Sequence, residues 1–158
     1  MSDNLTLQLN RVVKASRGQT FAAWTNPEAL MQWFAPGPMH PTSATVDLRE
    51  DGIFRLAMAG PSPRTGEEMK ITFTGTYQRI VQDELLRFNW EVEGDTGEAT
   101  MVTVEFKDAD GGTEIALTQE RIPNSDLLNR NRFGWSAMLE KLAALSEKRD
   151  VYATQACG

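Results

Sequence analysis

Cysteine, histidine and long apolar runs are what this chain of 158 residues most lacks. It holds one cysteine, Cys157, and one histidine, His40. A lone cysteine forms no internal disulfide, and by itself it cannot build a zinc site. With one residue of each kind, and Cys157 next to the end, a Ser/His/Asp or Cys/His catalytic set is close to excluded. No stretch approaches the roughly 18 apolar residues of a membrane span, and Met1 to Leu5 carry neither a basic n-region nor an apolar h-region. These absences point to a soluble cytoplasmic protein without a membrane partner. Positive charge is also short: Lys plus Arg number 16 against 22 Asp plus Glu, a formal net charge of −6. That balance repels phosphate backbones and anionic lipid, so nucleic acid is not an expected partner.

Motifs for metals and phosphates are missing as well. There is no His-Glu-x-x-His, no Gly-x-Ser-x-Gly and no Walker loop. Asp108-Ala-Asp110-Gly-Gly112 has the start of a calcium loop but not its further acidic ligands, and it reads as a hairpin turn. Glu67-Glu68 and Asp83-Glu84 are adjacent pairs whose members face opposite ways on a strand. They read as solvated edges. His40, within Pro38-Met-His-Pro41, reads as a surface residue of a proline-rich connection. No metal and no cofactor is expected.

What is present suits one folded unit. Hydrophobic residues make up 41% of the chain, with 12 glycines besides. A chain of this length buries about 70% of its unfolded surface and needs no covalent staples. No repeat, low-complexity run or linker divides it. The expected organisation is a single domain over 1–158, its core at about 5–147 and a C-terminal tail over 148–158.

Periodicity assigns the elements. Leu5, Leu7 and Leu9 alternate with polar residues as a half-buried strand. Ser16 and Gln19 have capping-box spacing before a short helix holding Phe21 and Trp24. Thr25-Asn-Pro-Glu28, with Thr25 or Asn26 as its cap, opens a second helix with Leu30, Met31, Trp33 and Phe34. Six strand-like segments follow. Val46 and Leu48 share a face in Ala44–Arg49. Phe54, Leu56 and Met58 form a second series, and Ile71, Phe73 and Tyr77 a third. In that third series Gly75 marks a bend or close approach. Leu86, Phe88, Trp90 and Val92 continue the pattern, then Val102, Val104 and Phe106, then Ile115 and Leu117. Breaks fall at Ala59–Gly66, Gln82–Glu84, Gly94–Gly97 and Asp108–Gly112. Clean alternation means one buried and one wet face, hence an antiparallel sheet. Leu128, Trp135, Met138, Leu142 and Leu145 then mark one long amphipathic helix, about 125–147. The result is an α+β fold whose helix covers the apolar face of the sheet.

This order of elements and landmarks resembles the START-like, or SRPBCC, helix-grip superfamily. The branch it is most similar to is the bacterial one named after the C-terminal domain of the activator of heat-shock-protein-90 ATPase. The matching residues are Arg11, Trp24 to Pro27, Trp33 to Pro36, Asp47 to Arg49 with Gly52, Gly75 to Tyr77, Thr113-Glu114 with Leu117-Thr118, and Gly134-Trp135. They span about residues 5 to 147. The resemblance implies a seven-stranded antiparallel curved sheet, wrapped on a long C-terminal helix, around a mostly apolar pocket. Two positions depart from the pattern. Asp51-Gly52 stands where the family often has two glycines. Gln119 stands where it often has histidine, and glutamine does not titrate near neutral pH.

Several inward-facing residues are candidates to contact a ligand. Phe54, Leu56, Phe73, Tyr77 and Trp90 come from the strands; Phe34 comes from the second helix. Trp135 and Met138 come from the long helix. Gln119 ends the inward series of Ile115 and Leu117, so its amide is expected to meet a ligand, or else Asn131 or backbone. Plain core packing is the competing reading for the aromatics. Arg11, Asp47 and Arg49 read as structural ion pairs on the sheet. Trp24 and Trp33 are expected to pin the two short helices to the sheet.

Three functions fit. The first is binding of a small hydrophobic or amphipathic molecule between sheet and C-terminal helix. The second is a cyclase- or hydrolase-like enzyme using the same pocket, although no residue set identifies a catalytic centre. The third is a co-chaperone-like interaction domain with a chaperone partner, suggested by the family resemblance. The same resemblance makes a homodimer a further expectation.

Overall fold

The computed structural model of the protein describes residues 4–62, 64–94 and 99–157, with the side chains of the last helix described as far as Glu147. Met1, the centre of the expected Gly94–Gly97 turn and the side chain of Cys157 lie outside the described residues. In chain order the elements are β1 (Leu5–Val13), α1 (Arg17–Thr25), α2 (Pro27–Trp33), β2 (His40–Val46), β3 (Ile53–Pro61), β4 (Glu68–Val81), β5 (Leu85–Val92), β6 (Thr100–Ala109), β7 (Gly112–Ile122) and α3 (Ser125–Cys157). The strands form one seven-stranded sheet in the order β1-β7-β6-β5-β4-β3-β2. Every neighbouring pair is antiparallel. The α+β expectation and the seven-stranded curved sheet with its long C-terminal helix are therefore what the chain adopts.

Local chemistry explains the helix starts. The Ser16 hydroxyl accepts from Gln19 N at 3.1 Å, and the Gln19 amide oxygen accepts from Ser16 N at 3.0 Å. This reciprocal capping box satisfies two backbone donors that the first turn of α1 leaves free. Asn26 Oδ1 accepts from Glu28 N at 2.8 Å, and Pro27 fills the first helical position of α2. Trp33 Nε1 donates to Ala23 O at 3.0 Å, and the rings of Trp24 and Trp33 meet edge-to-face at 4.9 Å. These contacts pin the two helices to each other, and Trp24 also meets Phe106 of β6 edge-to-face at 6.3 Å, where the sequence suggested that both tryptophans pin the helices to the sheet.

One face of the sheet is apolar, and α3 covers it with Trp135, Met138, Leu139 and Leu142, all buried. Each such side chain contributes about 1.5–3 kcal/mol on leaving water. Three boundaries differ from the periodicity. β2 begins at His40 rather than Ala44, so His40 and Pro41 lie on an edge strand, where a missing N–H is tolerated. Leu48 is exposed. The chain has already left the ladder there: Arg49 N donates to Asp47 O at 2.9 Å, and Asp47 N donates to Ile53 O at 3.2 Å. The helix α3 also continues past residue 147 to Cys157.

Gly75 permits a close approach between strands. A Cβ at this position would lie 2.0 Å from Asn89 O and 2.5 Å from Phe54 Cζ. Asn89 Oδ1 also accepts from Thr76 N at 2.7 Å, so β4 and β5 are tied at the same level. Of the residues expected to form ion pairs, Arg49 pairs with Asp47 at 2.8 Å and Arg11 with Glu140 at 3.2 Å. Arg11 therefore ties β1 to α3, where the sequence suggested a pairing within the sheet.

Candidate functional site

The space between sheet and helix is divided in two. Deep inside, Phe34, Phe54, Leu56, Tyr77 and Trp90 surround a void of only about 20 Å³. That is room for about one water molecule. Their rings fill the chamber by packing on one another: Phe54–Tyr77 at 5.3 Å, Phe54–Phe88 at 5.1 Å and Phe34–Trp90 at 5.7 Å between centroids. Burial also holds the Tyr77 hydroxyl protonated, raising its pKa far above the ordinary phenol value. Four of the expected contact residues, Phe34, Phe54, Leu56 and Tyr77, thus belong to a packed interior.

The larger space opens at the end of the sheet where α3 begins. It is a cleft of about 860 Å³, bounded by β3, β4 and the first half of α3. Phe73, Trp90, Trp135 and Met138, all expected from sequence, line it. Phe73 and Trp90 stack at 4.4 Å with 17° between their planes, and Trp90 lies 5.1 Å from Trp135. Met39, Met58, Met69 and Ile71 add apolar lining that was not among the expected contacts, although Met58 and Ile71 already belonged to the inward strand series. The parity of β4 carried the signal for two of them, since Met69 and Ile71 share a face with Phe73. Thioethers suit such a wall because they adapt to the shape they meet.

Gly134 also lines the cleft. A Cβ there would meet nothing within 4 Å. Glycine in a helix interior costs about 1 kcal/mol relative to alanine. Here the missing side chain leaves open volume beside Trp135.

Gln119 lines neither space. It is fully buried, and both ends of its amide have protein partners. Trp135 Nε1 donates to Gln119 Oε1 at 2.9 Å, and Gln119 Nε2 donates to Thr100 Oγ1 at 2.9 Å. The Thr100 hydroxyl donates in turn to Trp90 O at 3.1 Å. An indole N–H can only donate, so the amide orientation is fixed by its partner. The partners are Trp135 and Thr100, where the sequence suggested a ligand, Asn131 or backbone. The relay crosses β7, β6 and β5 and joins the two indoles of the cleft, one by its side chain and one by its backbone.

Charge collects at the lip. Arg64, Glu67 and Glu68 lie at the β3–β4 end, and Asp126 and Arg130 on the first turns of α3. Arg130 pairs with Asp126 at 3.6 Å. Among the described residues no three His, Cys, Asp or Glu side chains converge as a metal site. Among them, too, no helix is long and apolar enough to cross a membrane.

A seven-stranded antiparallel sheet closed on a C-terminal helix, with two short helices after β1, defines the helix-grip class known as SRPBCC. Members of this class commonly bind hydrophobic ligands. Residues 14–147 match the model of one family within it, described as Activator of Hsp90 ATPase homolog 1-like protein, and the chain belongs to that family. No curated protein matches the chain. Solved structures do. A protein of Chromobacterium violaceum is 26% identical, with a TM-score of 0.76 over 90% of this chain and 98% of its own. The AHSA1 protein of Silicibacter pomeroyi is 21% identical, with a TM-score of 0.75 over 89% of this chain and 96% of its own. An AHSA1-like protein of Aeromonas hydrophila is 20% identical, with a TM-score of 0.68 over 89% and 94%.

Proposed function

We propose that this protein binds a small hydrophobic or amphipathic molecule in the cleft between β3, β4 and the first half of α3. The observation that carries the reading is the 860 Å³ volume, walled by Phe73, Trp90, Trp135 and Met138 and left open at Gly134. Ligand sites are typically concave, about 300–1,000 Å³ and mostly apolar with a few polar groups, which this cleft matches. The packed interior supports the same choice. Its void is too small for more than a water molecule, so the ligand sits outside the aromatic core with Trp90 as its floor.

Gly134→Leu tests the reading, because it fills the cleft from an open position without entering the core. The uncharged dye Nile red is titrated into the native protein and the variant. Saturable binding weakened about tenfold or more by Gly134→Leu, with the melting temperature retained, is the expected result. Equal binding by both proteins would remove the cleft as the site. Native mass spectrometry of the purified protein, before and after denaturation, then reads any ligand carried through purification as a mass lost on unfolding.

A further inference from the structure

Resting on that binding reading, we infer that Gln119 is a positioning residue of the cleft: it sets the indole wall on which the ligand packs without touching the ligand. Trp135 lines the cleft and Gln119 does not. The ring of Trp135 lies among other rings, with centroids 5.9 Å from Trp24, 5.8 Å from Phe34 and 5.1 Å from Trp90. Such contacts fill space but separate the two flips of an indole only weakly, since that torsion is broad and roughly two-fold. The hydrogen bond separates them sharply. The observed flip places Nε1 2.9 Å from Gln119 Oε1. The opposite flip withdraws the N–H from this acceptor in a buried setting, which is costly.

The polarity of the relay is forced from both ends. The Trp90 carbonyl can only accept, so Thr100 turns its proton toward it across 3.1 Å. The Thr100 oxygen is then left to accept, and it does so from Gln119 Nε2 at 2.9 Å. That holds the amide with Oε1 toward the indole, which can only donate. Position 119 must therefore accept on one side and donate on the other. Glutamine does both, and so does a neutral histidine, whereas leucine does neither. These three bonds hold the backbone of β5 and the ring on α3 in one arrangement, with the indoles of Trp90 and Trp135 at their 5.1 Å spacing. The wall is formed before a ligand arrives, so binding need not order it. The one polar atom of the Trp135 ring is occupied inside the protein, and the ligand meets that ring as hydrocarbon.

Nile red is titrated into the parent, Gln119→Leu and Gln119→His at about pH 8, where an imidazole is neutral. Circular dichroism checks that each variant is folded. Gln119→Leu is expected to bind about three- to tenfold more weakly, because the ligand must then order a loosened ring. Gln119→His, which restores one acceptor and one donor, should stay within about twofold of the parent. Leucine binding as tightly as the parent overturns the inference, since Gln119 would then serve stability alone. Histidine binding no better than leucine overturns it as well, because hydrogen-bond polarity would not be what position 119 supplies. A second measurement needs only the parent. The Trp135 indole N–H resonance, assigned by its loss in Trp135→Phe, should keep its slow exchange with solvent at Nile red saturation. Fast exchange in the complex would show that the bond is given up on binding, and it overturns the inference even where Gln119→Leu fails to fold. Weakening by Gly134→Leu but not by Gln119→Leu removes this inference alone. Failure of Nile red to bind the parent removes it together with the binding reading.

Discussion

Trp135 Nε1 donates to Gln119 Oε1 across 2.9 Å in a fully buried setting, and this bond fastens α3 to the middle of β7. Gln119→Leu keeps the volume but leaves the indole N–H without an acceptor. An orphaned buried donor costs about 1–3 kcal/mol, and that loss is expected in the urea midpoint. Trp135→Phe in the same background removes the orphan. The double variant should then lose less than the sum of the two single losses, as partners in one bond do. Strict additivity would show that the bond contributes nothing.

Gly75 and Gly134 should respond oppositely to the same substitution. Gly75→Ala drives a Cβ to 2.0 Å from Asn89 O and against the Phe54 ring. Neither the strand backbone nor a ring already packed on Tyr77 and Phe88 yields cheaply, so a loss of about 3 kcal/mol or more is expected. Gly134→Ala meets open space on a helix and should gain about 0.5–1 kcal/mol. Chemical denaturation of both variants alongside the parent checks the pair.

Asp51 has φ 68°, in the left-handed region, and its N–H donates to Tyr77 O at 2.9 Å. Asp51→Val should cost about 1–2 kcal/mol, because a β-branched residue pays most for that conformation. Asp51→Gly should be near neutral: relief of strain is offset by the greater freedom of glycine in the unfolded chain. A thermal melt of each variant separates these outcomes.

Arg55 and Glu93 form a bidentate pair across β4, with both N···O distances 2.7 Å. The hydrogen bond from Arg55 holds the Glu93 carboxyl below its ordinary pKa. A carboxyl depressed in the folded state stabilises it above the unfolded pKa and loses that contribution as pH falls through the folded pKa. The melting-temperature difference between the parent and Glu93→Gln should therefore be largest near neutrality and vanish in acid. Both groups are exposed, so the difference is small and shrinks with salt. A difference unchanged through the carboxylate range would show that the charge of Glu93 is not its cause.

The elements were legible in the sequence because their signals are local. Ser16 with Gln19 and Asn26 with Pro27 name their own helix starts, and period-two alternation names each inward strand face. Leu48 misled because its parity is right while Asp47 and Arg49 have already folded the chain into a turn. The site was legible only in part, since filling a chamber depends on the summed volume of rings from different elements. Phe54 and Tyr77 have the pattern of pocket residues, and they become core only because Phe88 and Trp90 occupy the same space. The role of Gln119 depended on register. Trp90 is paired with Thr100, and Gln119 with Val102 two residues further along β6. No one-dimensional pattern places those three beside Trp135.

The four tryptophans form an unbroken chain through the molecule. Trp33 lies 4.9 Å from Trp24, Trp24 5.9 Å from Trp135, and Trp135 5.1 Å from Trp90. At such separations excited-state energy passes between indoles faster than they emit, so the set behaves as one antenna. Light absorbed at Trp33, buried at the end of α2, is shared along this chain with Trp90 at the floor of the cleft. Whatever rests against Trp90 can then quench or shift the emission of all four, and the protein reports the occupancy of its own cleft without a label.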